Sequence, residues 1–280
     1  MGIVKNSYVD DAGLPGGHPV RIACQQAACG TTGLAHSLSR LRRAARRAAE
    51  AGAELLVTPE ISVGGYPLLT ANLAEASGPV DGPQCAEVSA IAREFSIALV
   101  HGWPETDGDR LHNSARLVSP QGDTLAVYRK AHLYGRGERA MFTPGGQGVV
   151  QASYKGLTLG LLICYDVEFP EAVRAHGVAG TDVLLVPTGL MRPWDFVART
   201  LVPARAFESQ LYIAYANWTG SHGGIGFCGH TTVAAPDGTT SALAEEGEGL
   251  LIADVDPAVL RRARAATTYL RDRRPELYSS

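Results

Sequence analysis

Three polar residues stand where short apolar runs end, and together they could activate a sulfur for attack on a carbonyl carbon. They are Glu60 after LLVTP, Lys130 after LAVYR and Cys164 after LGLLI. A thiol needs a base to become a thiolate near neutral pH, and a nearby ammonium lowers its pKa further. Glu60 could serve as the base and Lys130 as the cation. The oxyanion formed on attack also needs donors, which Lys130 and the backbone N–H after the nucleophile could supply. Each residue has a plainer reading. Cys164 alone reads as a buried structural thiol, Lys130 could fall where it does by chance, and on spacing the trio is one set among several. Lysine usage adds information, because among 25 Lys and Arg only Lys5, Lys130 and Lys155 are lysine. The chain otherwise uses arginine as its cation, yet Lys130 directly follows Arg129. A compact ammonium can point at one developing charge where a planar guanidinium cannot.

The elements that must position these groups can be read from the same sequence. Leu159 to Ile163 is apolar on both faces and predicts a fully buried strand, with Cys164 at its carboxyl end, the edge where α/β sheets gather their ligands. Val20 to Cys29 predicts a first strand. Leu34 to Ala51 predicts an amphipathic helix whose arginines (40, 42, 43, 46 and 47) form a solvated face. AGAELLVTPE (51 to 60) and AGTDVLLVPT (179 to 188) match without gaps at Ala, Gly, Leu and Pro, and each follows a helical stretch. This suggests a duplicated helix-strand unit and a sheet built from two related halves, with chance similarity as the alternative. Gln84 to Phe95, Pro170 to Ala179, Trp194 to Ser209 and Asp256 to Ala266 predict further helices. Strands are expected at Ile97 to Gly102, Leu211 to Ala216, Ser114 to Val118 with Leu125 to Tyr128 around SPQGD, and Thr231 to Ala235 with Leu250 to Asp254 around APDG. Hairpins interleaved with helix-strand units imply a layered α/β sandwich in one domain. Residues 1 to 18 read as a flexible leader, residues 19 to 280 as the domain, and residues 267 to 280 as a polar tail.

Bulk properties narrow the class. A net charge of -3 over 280 residues gives no basic excess, so neither nucleic acid nor an anionic membrane is an expected partner. The N-terminal stretch lacks a signal-peptide core and no run is long enough to span a bilayer, so a soluble cytoplasmic protein is expected. Cys24, Cys29, Cys85, Cys164 and Cys228 form no CxxC pair, which suggests neither a disulfide framework nor a zinc site. Residues 224 to 229 fit GxGxxG, but a strand rather than a helix follows, against dinucleotide binding.

The segments LLVTPE, YRKAHLYGRGERAMFTPG, LLICYDVEFPE and PARAFESQLYIAYAN, in this order and spacing, resemble the nitrilase superfamily of carbon-nitrogen hydrolases. GFCGHTTVAAPDG and DRRPELY near the C-terminus also look like family segments. The resemblance runs from Val20 to Tyr278 and leaves residues 1 to 18 unmatched. It implies a four-layer αββα sandwich, no cofactor and no metal, and homodimers that extend the sandwich, with the tail from about 267 to 280 at the subunit interface. Carried over residue by residue, Glu60 is the general base, Lys130 the oxyanion stabiliser, Cys164 the nucleophile, and Glu138 a second glutamate beside the lysine that positions substrate or water.

CYDVEFPE looks most like bacterial amidases acting on small carboxamides, including amino-acid-derived ones. The nitrile-hydrolysing branch typically shows Trp-Glu after the cysteine, and N-carbamoyl hydrolases often carry arginines there. The expected reaction is therefore hydrolysis of a small-molecule amide through a thioester. An N-carbamoyl acid hydrolase is the nearest alternative, followed by a nitrilase or a catalytically silent scaffold. Tyr165 is expected beside the substrate through its backbone N–H. Glu168 reads more plainly as a surface or subunit-contact carboxylate; facing the pocket, it could pair with an amine or guanidinium on the substrate. Tyr66, Met191 and Trp194 could line the acyl site, although ordinary packing explains the aromatic ones as well, and Asn217 ends a strand that could reach the same rim.

Overall fold

The structure is a computed structural model that describes residues 17–30, 33–65, 73–242 and 247–278. Of the expected leader, only Gly17 and His18 fall within it. The first half of the chain runs β1 (Val20–Ala28), α1 (Leu34–Glu50), β2 (Leu55–Val57), α2 (Leu73–Ala76), α3 (Pro83–Phe95), β3 (Ala98–Asp107), β4 (Arg110–Val118), β5 (Thr124–Arg129) and α4 (Gly135–Met141). The second runs β6 (Gln151–Tyr154), β7 (Leu157–Leu161), α5 (Pro170–Val178), β8 (Val183–Pro187), α6 (Val202–Ser209) and β9 (Tyr212–Ala216). There follow β10 (Trp218–His222), β11 (Ile225–Cys228), β12 (Thr232–Ala234), β13 (Thr240–Ala242), β14 (Gly249–Val255), α7 (Pro257–Ala266) and α8 (Tyr269–Asp272).

These strands form two sheets of matching topology. One contains β14, β1, β2, β3, β4 and β5 in that spatial order, with β10 and β11 continuing beyond the end of β1; the other contains β6, β7, β8, β9, β12 and β13. In both, the senses between neighbours run antiparallel, parallel, parallel, antiparallel, antiparallel. The two sequence-matched segments become β2 and β8, third in each sheet, and each is preceded by a glycine at positive φ, Gly52 at 76° and Gly180 at 81°. The expected pair of related halves is therefore present in the topology.

Period-2 alternation explains how the layers assemble. Leu55 and Val57 of β2, with Ile22 and Cys24 of β1 and Val100 of β3, join a core shared with β7, β8 and β9 of the facing sheet. Leu56, Ala23 and Leu99 point the other way, onto Leu41, Ala45 and Ala48 of α1 and Val88 and Ile91 of α3. On the far side Val173 of α5 and Val202 and Ala206 of α6 close the second sheet. The result is helices, sheet, sheet, helices, the αββα sandwich. Each fully buried leucine or valine contributes about 1.5–3 kcal/mol, which is why short strands with no polar face suffice at the centre.

Four sequence expectations are corrected. The strand at 250 to 254 does not pair across APDG: that hairpin is β12 with β13, while β14 crosses to lie antiparallel to β1, with Val20 opposite Val255. The helix expected from Trp194 begins instead at Val197, with a π-helical stretch, Val197–Leu201, before α6. Pro203 has no N–H to give to the preceding turn, which accounts for the widened turn there. Arg40 is not solvated but buried, with its guanidinium 4.7 Å from the Trp218 ring centroid. The strand before the nucleophile ends at Leu161, two residues earlier than expected, and a 3-10 turn occupies Cys164–Glu168.

Candidate active site

Lys130 follows the last residue of β5, where alternation separates it from Arg129. Arg129 turns to the sheet's edge and makes a bidentate pair with Glu105, at 2.9 and 2.8 Å, and a bond of 2.7 Å to Asp107. Lys130 turns inward and is fully buried. Its Nζ donates to Glu60 Oε1 at 2.7 Å and to both Glu138 oxygens at 2.9 Å. Glu138 sits on α4 and also accepts from the Tyr134 backbone N–H at 2.8 Å.

Glu60 lies just past β2 and is held from several directions. Its backbone N–H donates to Thr188 O, the residue that matches it in the other half, and its carbonyl accepts from Trp218 Nε1 at 2.8 Å. Asn113 Nδ2 donates to its Oε1 at 2.7 Å, while Oε2 is buried with no hydrogen-bond partner. Gly102 makes this crossing possible, because a Cβ there would lie 2.4 Å from Ile61 N. Ile61 itself is held at φ 47°, a conformation that costs a β-branched residue about 1–3 kcal/mol and persists only where its surroundings over-determine it.

Cys164 opens the 3-10 turn at φ 46°. Asp166, fully buried two residues on, fixes this turn by accepting from Tyr128 Oη at 3.0 Å, Ile163 N at 3.1 Å and His132 N at 2.9 Å. His132 Nδ1 also lies 2.8 Å from Asp166, and its ring stacks on Phe169 at 3.8 Å between centroids. That contact with Asp166 raises the His132 pKa, overcoming its partial burial.

The electrostatics bind the trio into one unit. Burial works against the Lys130 ammonium, but its pKa stays above that of an ordinary lysine, held up first by the Glu60 charge and also by Glu138. One ammonium serves two carboxylates, so burial, aided by Glu138, still raises Glu60. Burial and the Glu60 charge push the Cys164 thiol well up, against Lys130 and the Gly189 backbone N–H. The sulfur therefore rests as a thiol, and a base with a free oxygen, Glu60 Oε2, belongs to the same buried cluster.

Cys164 opens onto a cavity of about 230 Å³. Tyr134, Tyr165, Glu168 and Trp194 contribute polar or aromatic walls, and Gly189, Leu190 and Met191 the remainder. The sequence candidates Tyr165, Glu168, Met191 and Trp194 thus come together here, and Glu168 faces the pocket rather than the surface. Asn217 does not reach the rim. It is fully buried behind the wall, where its Oδ1 accepts from Leu190 N and Trp218 N, both at 2.9 Å, so it fixes the loop that carries the lining. Tyr66 lies outside the described residues. Asn113, His132 and Tyr134 were not singled out from sequence; Asp166 entered only as a branch-like residue within the quoted CYDVEFPE, since nothing in spacing marks its four donors.

Comparison with known proteins places the chain in a family. A family profile described as carbon-nitrogen hydrolase matches residues 21–265. The chain belongs to the carbon-nitrogen hydrolase family. Among curated relatives, the hydrolase in the pqqF 5'region of Pseudomonas protegens is 40% identical over 92% of this chain and 90% of that protein. An (R)-stereoselective amidase of Pseudomonas sp. is 36% identical over 86% of each. An amidase from Nesterenkonia sp., known as a crystal structure, superposes with a TM-score of 0.83 at 38% identity, covering 94% of this chain and 96% of that one. Other structures of the Nesterenkonia amidase hold butyramide, or the acetamide moiety of fluoroacetamide added covalently at the active-site cysteine. This carbon-nitrogen hydrolase shares with that amidase the layered architecture that brings Glu60, Lys130 and Cys164 together.

Proposed function

We propose that the protein is an amidase that hydrolyses small carboxamides to the carboxylic acid and ammonia through a thioester on Cys164. The observation that carries the reading is the buried cluster of Glu60, Lys130 and Glu138 behind a cysteine that opens onto a small cavity. Glu60 takes the thiol proton through its unpaired Oε2 as the sulfur attacks the amide carbon. The oxyanion is held by the Lys130 ammonium and the Tyr165 N–H, a donor in the first turn of a helical segment, where backbone N–H groups lack intrahelical acceptors. Glu60 returns the proton to the nitrogen, the C–N bond breaks and ammonia leaves. Water then gives its proton to Glu60 and attacks the thioester, the acid departs, and the proton passes back to sulfur. Glu138 keeps Lys130 in place and charged throughout. The atoms balance as amide plus water giving acid plus ammonia, with no cofactor in the cycle.

The amidase name of the 36% identical Pseudomonas relative and the butyramide complex of the Nesterenkonia amidase support this choice. The cavity is smaller than the ~300–1,000 Å³ typical of ligand pockets, which suits a short acyl chain. The five cysteines are free thiols, as fits a reducing compartment such as the cytoplasm; among the described residues no helix is long and apolar enough to cross a membrane. A homodimer fits the exposed apolar groups Val178, Phe207, Tyr269, Leu277 and Tyr278 on α5, α6 and the C-terminal tail. The test is ammonia release from a panel of short carboxamides, ureido acids and nitriles, with Cys164→Ala as the control. Turnover of carboxamides that vanishes in a folded Cys164→Ala variant is expected. An active variant, or a preference for ureido acids or nitriles, overturns the assignment.

A further inference from the structure

Glu168 is the one acidic side chain in the cavity that the reaction above does not use. It is half-buried, and among the described residues its carboxylate makes no hydrogen bond or ion pair; Arg205 reaches only its backbone carbonyl, at 3.2 Å, and pairs with Glu208. Burial raises its pKa and Lys130 opposes this, so the two groups sense each other. Lys130 is already shared between Glu60 and Glu138, and among the described residues the cavity wall itself carries no cation to pair with Glu168. Nearby, Asp195 is paired with Arg199 and the Arg192 side chain lies along Gly226. The walls around Glu168 include the aromatic residues Tyr134, Tyr165 and Trp194, and Tyr134 and Tyr165 meet edge to face at 5.2 Å. A lone carboxylate among aromatic rings is the chemistry that recognises an organic cation.

We propose that Glu168 with Tyr134, Tyr165 and Trp194 forms a subsite for a protonated amine on the acyl part of the substrate, so that the preferred carboxamides are amino-amides. This rests on the amide-hydrolysis reading and narrows its substrate class. An ammonium there offsets the uncompensated negative charge, whereas a carboxylate on the acyl chain is repelled. Lys130 stays committed to the oxyanion in either case.

The test compares kcat/KM at neutral pH for two pairs of near-isosteric amides, 3-aminopropanamide against butanamide and alaninamide against 2-methylpropanamide. In at least one pair the ammonium-bearing member is expected to lead by on the order of tenfold or more, the yield of a hydrogen bond to a charged group. In Glu168→Gln that ratio falls towards one. Neutral amides turned over as well as or better than both amino-amides would overturn the subsite while leaving the amidase reading intact. Ammonia from none of the four amides overturns both. The wild-type ratio decides the question even if the variant does not fold, and a Glu168→Gln enzyme that keeps the preference removes Glu168 from the subsite.

Discussion

Lys130 holds two buried carboxylates within 2.9 Å, and removing it tests how far the cluster is structural as well as chemical. Lys130→Met leaves Glu60 and Glu138 facing each other without a counter-charge, and breaking a buried pair in this way costs about 3–5 kcal/mol. Denaturant unfolding should show that loss, and adding Glu60→Gln and Glu138→Gln should recover most of it; a Lys130→Met chain as stable as wild type would contradict the shared-ammonium description. The base makes a separate prediction. Glu60 must be ionised to accept the thiol proton, so kcat/KM falls as pH drops through its pKa. Burial sets that limb above the usual glutamate value of about 4.3. Asn113 donates to the ionised form and lowers the pKa, so Asn113→Leu should move the acid limb to higher pH. An unmoved limb would take Glu60 out of the base role. Sequence alone brought Glu60, Lys130 and Cys164 into view because each ends an apolar run. Asn113 was hidden, since it stands just before the strand expected from Ser114 to Val118 and its partner, Glu60, follows a strand two places away in the same sheet.

At the scale of single elements, the turn after β7 decides whether the nucleophile is presented at all. Cys164 is held at φ 46°, and the restraint is one carboxylate, Asp166, which accepts hydrogen bonds from two backbone and two side-chain donors around it. Asp166→Asn replaces an acceptor with a group that must turn its NH2 towards those donors. A loss of roughly 1–3 kcal/mol is expected from the donors left unpaired, together with a fall in kcat as the turn loses its geometry. Full activity with unchanged thermal stability would show that the turn is fixed by something else. The position of most elements followed from apolar periodicity, as β1, α1, α3 and α5 illustrate. The failure at β14 has a physical origin. GLLIADV is a strong strand signal and TSA a weak one, so local reading paired the strong run across APDG, whereas the real partner, β1, lies more than two hundred residues upstream.

For the whole molecule, the matching topologies of the two sheets place β2 and β8 face to face at the centre, and Glu60 and Cys164 emerge where the two halves meet. Local sequence could suggest the duplication, but not which edges the strands beyond it would join. Subunit assembly belongs to this scale as well. The C-terminal tail lies against the outer helices, with Tyr269 and Phe207 in edge contact at 5.8 Å, and it leaves Leu277 and Tyr278 largely exposed. A chain ending at Asp272 retains α8 but lacks those side chains. On the homodimer proposed above, it should shift towards monomer in light scattering at micromolar concentration, while a truncated chain that stays dimeric would place the interface elsewhere.

The most direct measurement of the central claim is the mass of the enzyme during turnover. Rapid acid quenching after mixing with a carboxamide should trap a species heavier by the acyl group alone, the amide's ammonia having left, and peptide mapping should place that group on Cys164. An acyl group on any other residue, or continuing turnover by an enzyme from which Cys164 has been removed, would contradict the account.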